Sequence, residues 1–377
     1  MDPAYVQGLH DLLLQVTSSD TLQVKGATAK LNLEYYKNPS CIVALATIMA
    51  SPAGQAVRQL AAVEMRKRVA QNKKLPEIVL SDPDNLVRHS VARVMAAIAN
   101  IEFPVGTWPQ LLPFLHQTCV SPQVVHREVG VFILYTVLDN IVEGFKDHLQ
   151  SFFKLFTQLL ADPESIEVRI TTVRAMGVIA AYIDSDDKED VKSFQASLPA
   201  IMQVIGQCVQ TGNESGARQL FDVLETLLIL EVPVLGKHIP ELADFLLQLG
   251  ANRAYETELR VLSLNALNWT IVYKKSKIQS NNLSGAILQG LMPITTEAEP
   301  EDIDDDAPSR SALRIIDGLA TGLPPGQVFP PLRDLITQYF SSPDPNMRRG
   351  AMLALGICVE GCSEYMTPPP QRRVACY

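Results

Sequence analysis

Apolar residues recur every three to four positions in segments of helical length, and polar turns rich in Pro, Gly, Asp and Ser separate these segments. The first apolar face consists of Leu9, Leu12, Leu13 and Val16. A second face, along Leu22–Tyr36, follows after a short turn. This spacing predicts pairs of amphipathic helices, whereas the strict alternation and Asn-Gly or Asp-Gly turns typical of β-hairpins are nearly absent.

One sequence phrase, or short motif, recurs along the whole chain. It consists of a turn marked by Pro or Gly, followed by an Arg at the start of an apolar helix. The clearest copies are SDPDNLVRHSVARV at Ser81–Val94 and DPESIEVRITTVRAM at Asp162–Met176. The arginines of this phrase are Arg58, Arg88, Arg127, Arg169, Arg218, Arg260 and Arg348. Their usual separation of about 40 residues, with two helices per unit, is typical of HEAT repeats. The last interval, from Arg260 to Arg348, is twice as long and contains one more copy at Ser309–Ala320.

We therefore expect an all-α fold, a HEAT-repeat α-solenoid forming a right-handed superhelical array of about nine helix pairs. The array would cover residues 1–365, and residues 366–377 would form an irregular Pro-rich tail. The interval from Arg58 to Arg88 is the shortest, so the first helix of the third repeat, at Asn72–Leu80, looks curtailed. In the sixth repeat, an acidic connector at Asp184–Asp190 precedes a helix predicted at Leu198–Val209.

The repeated Arg has a structural explanation. Its stem can lie over the neighbouring helix while its guanidinium reaches a carboxylate or a free carbonyl of the next repeat. An Asp in the preceding turn, such as Asp82 or Asp162, can cap the helix and meet that Arg. We expect these contacts to hold successive repeats together rather than to form a series of catalytic groups.

The composition and charge of the chain limit the classes of function that fit it. The chain is 47% apolar and 6% aromatic, with a net charge of −9, which argues against direct nucleic-acid binding and favours basic protein partners. The N-terminus carries no basic signal-peptide region, and Pro39 and Pro52 interrupt the longest uncharged stretch near the front. We expect no membrane insertion and an intracellular location.

Catalytic and metal-binding motifs are missing from the sequence. The six cysteines form no C-x-x-C pair, and we expect buried thiols in a reducing compartment. The six histidines form no H-E-x-x-H motif, and neither a phosphate-binding loop nor a nucleophile elbow is found. We therefore expect neither an enzyme nor a resident cofactor.

An acidic segment, Thr295–Ser309, interrupts the helix pattern of the eighth repeat. Its acids are Glu297, Glu299, Glu301, Asp302, Asp304, Asp305 and Asp306. Such a density of like charge keeps a loop extended and available to a basic surface, although a solvated loop without a partner is the alternative. A calcium loop fits poorly, because the central Gly and the distal Glu are missing.

Two basic clusters follow second helices. One comprises Arg66, Lys67, Arg68, Lys73 and Lys74, and the other Lys274, Lys275 and Lys277. Cations suit the negative end of a helix dipole, so a solvated helix end explains both clusters. The alternative is a contact with an acidic patch on a partner.

Three phrases carry a family resemblance. VRQLAAVEMRKRV at Val57–Val69, the segment Asn85–Leu115 and VYKKSKI at Val272–Ile278 resemble the karyopherin-β (importin-β) family of nuclear transport receptors. The chain is most similar to the importin-four-like subgroup, and the importin N-terminal domain would cover about 22–100. The resemblance covers nearly the whole chain, and the order of the phrases is its most specific part.

The resemblance implies a nuclear import receptor that shuttles between cytoplasm and nucleus. Ran in its GTP form would bind the second helices of the first repeats, with Gln59, Arg66 and His89 as candidate contacts. The acidic segment would touch Ran or basic cargo such as histones and ribosomal proteins, and FG-repeat proteins of the nuclear pore would be further partners. Family members are far longer arrays, so we expect a truncated or alternatively spliced product whose last repeat exposes apolar surface. The remaining alternative is a HEAT scaffold without Ran dependence.

Overall fold

The computed structural model describes residues 3–38, 40–49, 51–67, 80, 84–103, 106, 108–141, 145–146, 148–299, 302 and 306–366. These residues form helices and turns and contain no strand. The chain divides into two compact units, Met1–Tyr182 and Ile183–Tyr377. No helix within the described ranges combines the length and apolarity that a bilayer crossing requires.

Unit 1 consists of paired helices. They are α1 (Pro3–Val16), α2 (Thr21–Lys30), α3 (Ser40–Met49), α4 (Gln55–Lys67), α5 (Asn85–Glu102), α6 (Leu111–Cys119), α7 (Val124–Ile141), α8 (Leu149–Leu160) and α9 (Ile166–Ala180). The second helices α4, α5, α7 and α9 pack side by side in that order, and each of the first helices α3, α6 and α8 packs on its own partner. The core lies between the two layers and is almost entirely aliphatic and aromatic.

Short polar side chains cap several helices of unit 1. Asp20 accepts the N–H of Leu22, and Asp84 accepts the N–H groups of Leu86 and Val87. These bonds satisfy backbone donors that the first turn leaves free. The predicted helix Leu22–Tyr36 is an α-helix only to Lys30, and a π-helical turn at Leu31–Tyr35 completes it.

The predicted first helix of the third repeat lies almost wholly outside the described residues, which resume at Leu80 and again at Asp84. The prediction of a curtailed helix there stays a prediction.

Unit 2 continues the pairing. Its helices are α10 (Lys188–Gln210), α11 (Glu214–Ile229), α12 (Ile239–Ala251), α13 (Thr257–Tyr273), α14 (Lys275–Ser280), α15 (Ser284–Leu291), α16 (Pro308–Gly322), α17 (Pro325–Phe340), α18 (Pro345–Cys358) and α19 (Ser363–Met366). The second helices α11, α13, α16 and α18 pack side by side, as α4, α5, α7 and α9 do in unit 1.

Two helix predictions in unit 2 are wrong in detail. Helix α10 begins at Lys188 rather than Leu198, because Asp187 accepts the N–H groups of Glu189 and Asp190 and starts the helix early. The end of the supposed acidic connector is therefore helical. The short helix α14 was not predicted, because Lys275 and Lys277 were interpreted as part of a basic helix end.

Candidate functional site

Some of the recurring arginines bind the next repeat as the sequence predicts, whereas Arg169 and Arg348 donate to carbonyls of their own preceding turns. Arg127 donates to the Asp162 carboxylate at 2.6 Å and 3.3 Å and to Glu164 at 2.7 Å, so α7 is tied to the turn before α9. Arg218 pairs with Glu258 of the next repeat. The prediction of contacts between repeats is confirmed at these positions.

Asp162 departs from the expectation that it caps its own helix and meets Arg169. It pairs with Arg127 of the preceding repeat, and Ser165 caps α9 through the N–H of Val168. Burial raises the pKa of Asp162, but hydrogen bonds from Arg127 and from two backbone N–H groups outweigh it and hold that pKa below its ordinary value. Asp82 lies outside the described residues.

The candidate Ran contacts occupy the second-helix layer of unit 1. Gln59 is half-buried on α4 and His89 is half-buried on α5. Arg66 lies in the last turn of α4, and its side chain is outside the described part, as are Arg68, Lys73 and Lys74. Helices α4 and α5 pack against each other, so the two described candidates belong to adjacent helices of one layer.

The side chain of His89 offers a neutral aromatic ring rather than a positive charge. Its ring stacks on Phe132 of α7, with centroids 4.1 Å apart and planes inclined by 8°. Burial, followed by the nearby cations Arg93, Arg88 and Arg174, lowers the pKa of His89 to about 4. The imidazole is therefore neutral at pH 7.

A feature that the sequence reading missed surrounds His89. The Arg93 guanidinium lies 5.6 Å from the centroid of the Phe132 ring, and the Arg174 guanidinium lies 4.2 Å from that of Tyr135. Both rings come from α7, and each cation comes from a neighbouring second helix. The signal available in the sequence was the pair of aromatic residues three apart on α7, Phe132 and Tyr135.

The acidic segment lies between α15 and α16 of unit 2. A 3-10 turn, Ile294–Thr296, opens it and packs against α16 and α18. Gly350 permits this approach, since a Cβ atom there would meet the Thr295 hydroxyl at 2.6 Å. The start of the segment is therefore held in place by packing.

Glu297, the first acid of the segment, is bound within the fold. Its carboxylate accepts two hydrogen bonds from Arg260, at 2.8 Å and 2.7 Å, and one from Arg253 at 3.1 Å. Its carbonyl accepts a hydrogen bond from Arg349 at 2.6 Å. Arg260 also donates to the carbonyl of Gly250 at 2.9 Å. Glu297 thus joins three successive repeats and is not a freely exposed charge.

The other described acids are exposed. They are Glu299, Asp302 and Asp306, whereas Glu301, Asp304 and Asp305 lie outside the described residues. The carbonyl of Asp302 accepts a hydrogen bond from Arg310 at 3.0 Å, and the Asp306 carboxylate lies 3.9 Å from Arg314. Contacts with α16 therefore hold two points of the segment, and both residues remain exposed.

The lysines of the second basic cluster, Lys274, Lys275 and Lys277, have different environments. Lys274 donates to the carbonyl of Leu230 at 2.8 Å, and burial lowers the pKa of this amine. Lys275 and Lys277 are exposed. Lys274 thus supports the joint between α11 and α13, and only the other two cations remain available at the surface.

The cysteines of the described ranges are Cys41, Cys119, Cys208, Cys358 and Cys362, and all five are free and buried. Burial raises the pKa of the Cys119 thiol to about 12 and that of Cys358 to about 11. Cys376 lies outside the described residues. Within the described ranges no three potential metal-ligating side chains form a group.

These observations define a class: the chain is an all-α HEAT-repeat protein, as predicted. Solved structures of Kap121p share the fold. Kap121p bound to RanGTP aligns with a TM-score of 0.81 at 21% identity, over 97% of this chain and 37% of that chain. Kap121p bound to Pho4p aligns with a TM-score of 0.81 at 20% identity, over 96% of this chain and 38% of that chain.

Sequence comparisons identify the family. Residues 83–245 match a family described as IPO5-like, TPR repeats. The probable importin subunit beta-4 of Schizosaccharomyces pombe is 34% identical over 97% of this chain and 35% of the relative. Importin-4 of Homo sapiens is 25% identical over 98% of this chain and 37% of the relative. The chain belongs to the karyopherin-β (importin-β) family, and it spans about a third of the length of these relatives.

Proposed function

We propose that the chain is part of a nuclear import receptor that shuttles between cytoplasm and nucleus and binds Ran in its GTP form and basic protein cargo. The observation that carries the proposal is sequence similarity to importins over nearly the whole chain. The fold shared with Kap121p, whose solved structures include complexes with RanGTP and with Nup53p, adds support.

Ran would bind the second-helix layer of unit 1. Gln59 would offer an amide and His89 a neutral ring, which suits packing and hydrogen bonding rather than ion pairing. Arg66 remains a candidate from the family resemblance. If Ran and cargo oppose each other's binding, each lowers the affinity of the other by the same factor.

The exposed acids of the segment at 295–309 would bind basic cargo such as histones and ribosomal proteins. Helix α16 holds Asp302 and Asp306 at the protein surface, and the dense negative charge raises the local concentration of a cationic partner. Glu297 would act differently, as the residue that anchors the segment to its scaffold through Arg260.

The decisive experiment is a pull-down of Ran loaded with GTP or with GDP. We expect recovery of the GTP form only. Equal recovery of both forms, or of neither, would remove the Ran proposal and leave a HEAT scaffold without Ran dependence. His89→Ala should weaken recovery, whereas Arg333→Ala, which removes an exposed side chain of α17, serves as the matched control.

A second experiment separates the roles of the acids. The variant that neutralises Glu299, Glu301, Asp302, Asp304, Asp305 and Asp306 should weaken binding of a core histone dimer and flatten its dependence on salt. It should leave the unfolding of unit 2 nearly unchanged, because Glu297 is retained. Unchanged histone affinity would show that the segment is a solvated loop.

A further inference from the structure

The second-helix layer of unit 1 carries a compact cluster of cations and aromatic rings. We define the α7 patch as Arg93, Phe132, Tyr135 and Arg174. Phe132 and Tyr135 lie three residues apart on α7, Arg93 extends over Phe132 from α5, and Arg174 extends over Tyr135 from α9. Two guanidiniums, one from each neighbouring helix, thus lie over aromatic rings of α7 at cation–π distance.

The contact with a ring leaves each guanidinium able to bind a carboxylate. A guanidinium placed over an aromatic face loses little of its hydrogen-bonding capacity, because its five N–H groups point outward in its own plane. The ring also restricts the side chain, which reduces the entropy lost on binding. Arg93 is exposed and Arg174 is half-buried. Neither guanidinium forms an ion pair within 4.0 Å among the described residues.

The charged side chains that act on His89 are cations, whereas the chain as a whole is acidic. The chain carries a net charge of −9, yet the cations around His89 are Arg88, Arg93 and Arg174. His89 is neutral at pH 7 and its ring extends the flat surface through the stack on Phe132. A long polyanion such as a nucleic acid would meet the repulsion of the remaining acidic surface, whereas a short acidic segment would feel mainly the local cations.

We infer that the α7 patch binds an acidic segment of a partner protein, with one carboxylate accepting from Arg93 and a second from Arg174. Bidentate pairing of a carboxylate with the planar guanidinium fork would fix the direction of the segment across α7. The α7 patch lies in the same second-helix layer that Ran would bind, but the inference goes beyond the proposed function because it requires neither Ran nor basic cargo.

Fluorescence anisotropy with a short fluorescein-labelled peptide of alternating Glu and Gly tests the inference in the absence of Ran. The full chain should bind this peptide and should not bind its counterpart with Gln in place of Glu. The double variant Arg93→Gln, Arg174→Gln should bind about tenfold more weakly, as expected for the loss of two largely exposed ion pairs. Arg333→Gln, which removes one exposed cation of unit 2, should leave the affinity unchanged.

A conservative variant keeps the test informative if the Gln variants fold poorly, which circular dichroism would reveal. Arg93→Lys with Arg174→Lys retains both charges but loses the stacked fork, so its affinity should fall between those of the wild type and the double Gln variant. Three results would overturn the inference: no binding of the Glu peptide, equal binding by the wild type and either double variant, or equally tight binding of a short oligothymidylate. Failure of the Ran pull-down would leave the inference untouched, since the peptide assay contains no Ran.

Discussion

The Arg260–Glu297 contact offers the sharpest test of how the acidic segment is anchored. We consider the substitution Arg260→Met, which keeps the apolar stem and removes the guanidinium. The Arg260 side chain is 7% exposed and the Glu297 side chain 14% exposed, so the ion pair is largely shielded from water. The substitution removes both hydrogen bonds from Arg260 to Glu297 and the one to the carbonyl of Gly250.

The expected cost follows from what the substitution leaves behind. Removing one partner of a buried ion pair costs about 3–5 kcal/mol, because the remaining charge stays buried without compensation. Glu297 keeps a hydrogen bond from Arg253, which is 64% exposed, so we expect the lower end, about 3 kcal/mol. With a urea m-value of about 2 kcal/mol/M, the unfolding midpoint of unit 2 should fall by roughly 1.5 M.

The two tryptophans make the measurement specific. Trp269 lies on α13, the helix that carries Arg260, and Trp108 lies in unit 1. In a Trp108→Phe background, Trp269 fluorescence reports the urea unfolding of unit 2. Glu297→Met and the double variant Arg260→Met, Glu297→Met complete a double-mutant cycle.

The double-mutant cycle tests whether Arg260 and Glu297 stabilise the fold as a pair. The double variant should cost less than the sum of the two single variants, since neither buried charge is then left alone. Arg333→Met is the surface control, because Arg333 is 61% exposed and pairs with Asp334, which is 70% exposed. It should change stability by less than about 0.5 kcal/mol. If Arg260→Met behaves like this control, the anchoring role of Glu297 is wrong.

Three further predictions concern unit 1 and the thiols. Arg127→Met should destabilise unit 1 by about 3–5 kcal/mol, because it leaves the carboxylate of Asp162, which is 3% exposed, without its ion-pair partner. Urea unfolding followed by Trp108 fluorescence in a Trp269→Phe background measures this loss. A loss below about 1 kcal/mol would contradict the pairing. His89 is neutral when folded, with a pKa of about 4, and its unfolded pKa is about 6.5, so the unfolded state binds more protons between these values. Unit 1 should therefore lose stability as pH falls from about 6.5 to 4, and His89→Asn should reduce this slope, which urea midpoints across that range would reveal. Cys119 and Cys358 should react with a thiol reagent at pH 8 only as fast as the protein opens, because burial raises the pKa of both thiols; rapid labelling of the folded chain at either position would refute their burial.

The helix pairs and their Arg contacts were accessible from the sequence, because both depend on local pattern. A period of about 40 residues marks each repeat, and a turn followed by Arg marks each second helix. Partners one repeat away, such as Glu258 for Arg218, follow from that period. Helix starts were less accessible: Asp187 begins α10 early, although the apolar pattern becomes clear only near Leu198.

Side-chain roles within the candidate sites needed the structure. Seven acids of the segment look equivalent along the chain, yet Glu297 is bound by Arg253 and Arg260 while Glu299 is exposed. Lys274 likewise looks equivalent to Lys275, but only Lys274 reaches the carbonyl of Leu230. Such differences depend on which neighbouring helix each side chain faces, and sequence periodicity carries no information about that.

The sequence by itself determined the class of fold, the repeat period and the place of the acidic segment between two helices, since each of these is a property of local order along one chain. Only the tertiary structure decided that Glu297 anchors the segment, that His89 is a neutral stacked ring, and that Arg93 and Arg174 meet the aromatic residues of α7. The physical reason is that burial and charge pairing depend on distances between helices about 40 residues apart in sequence.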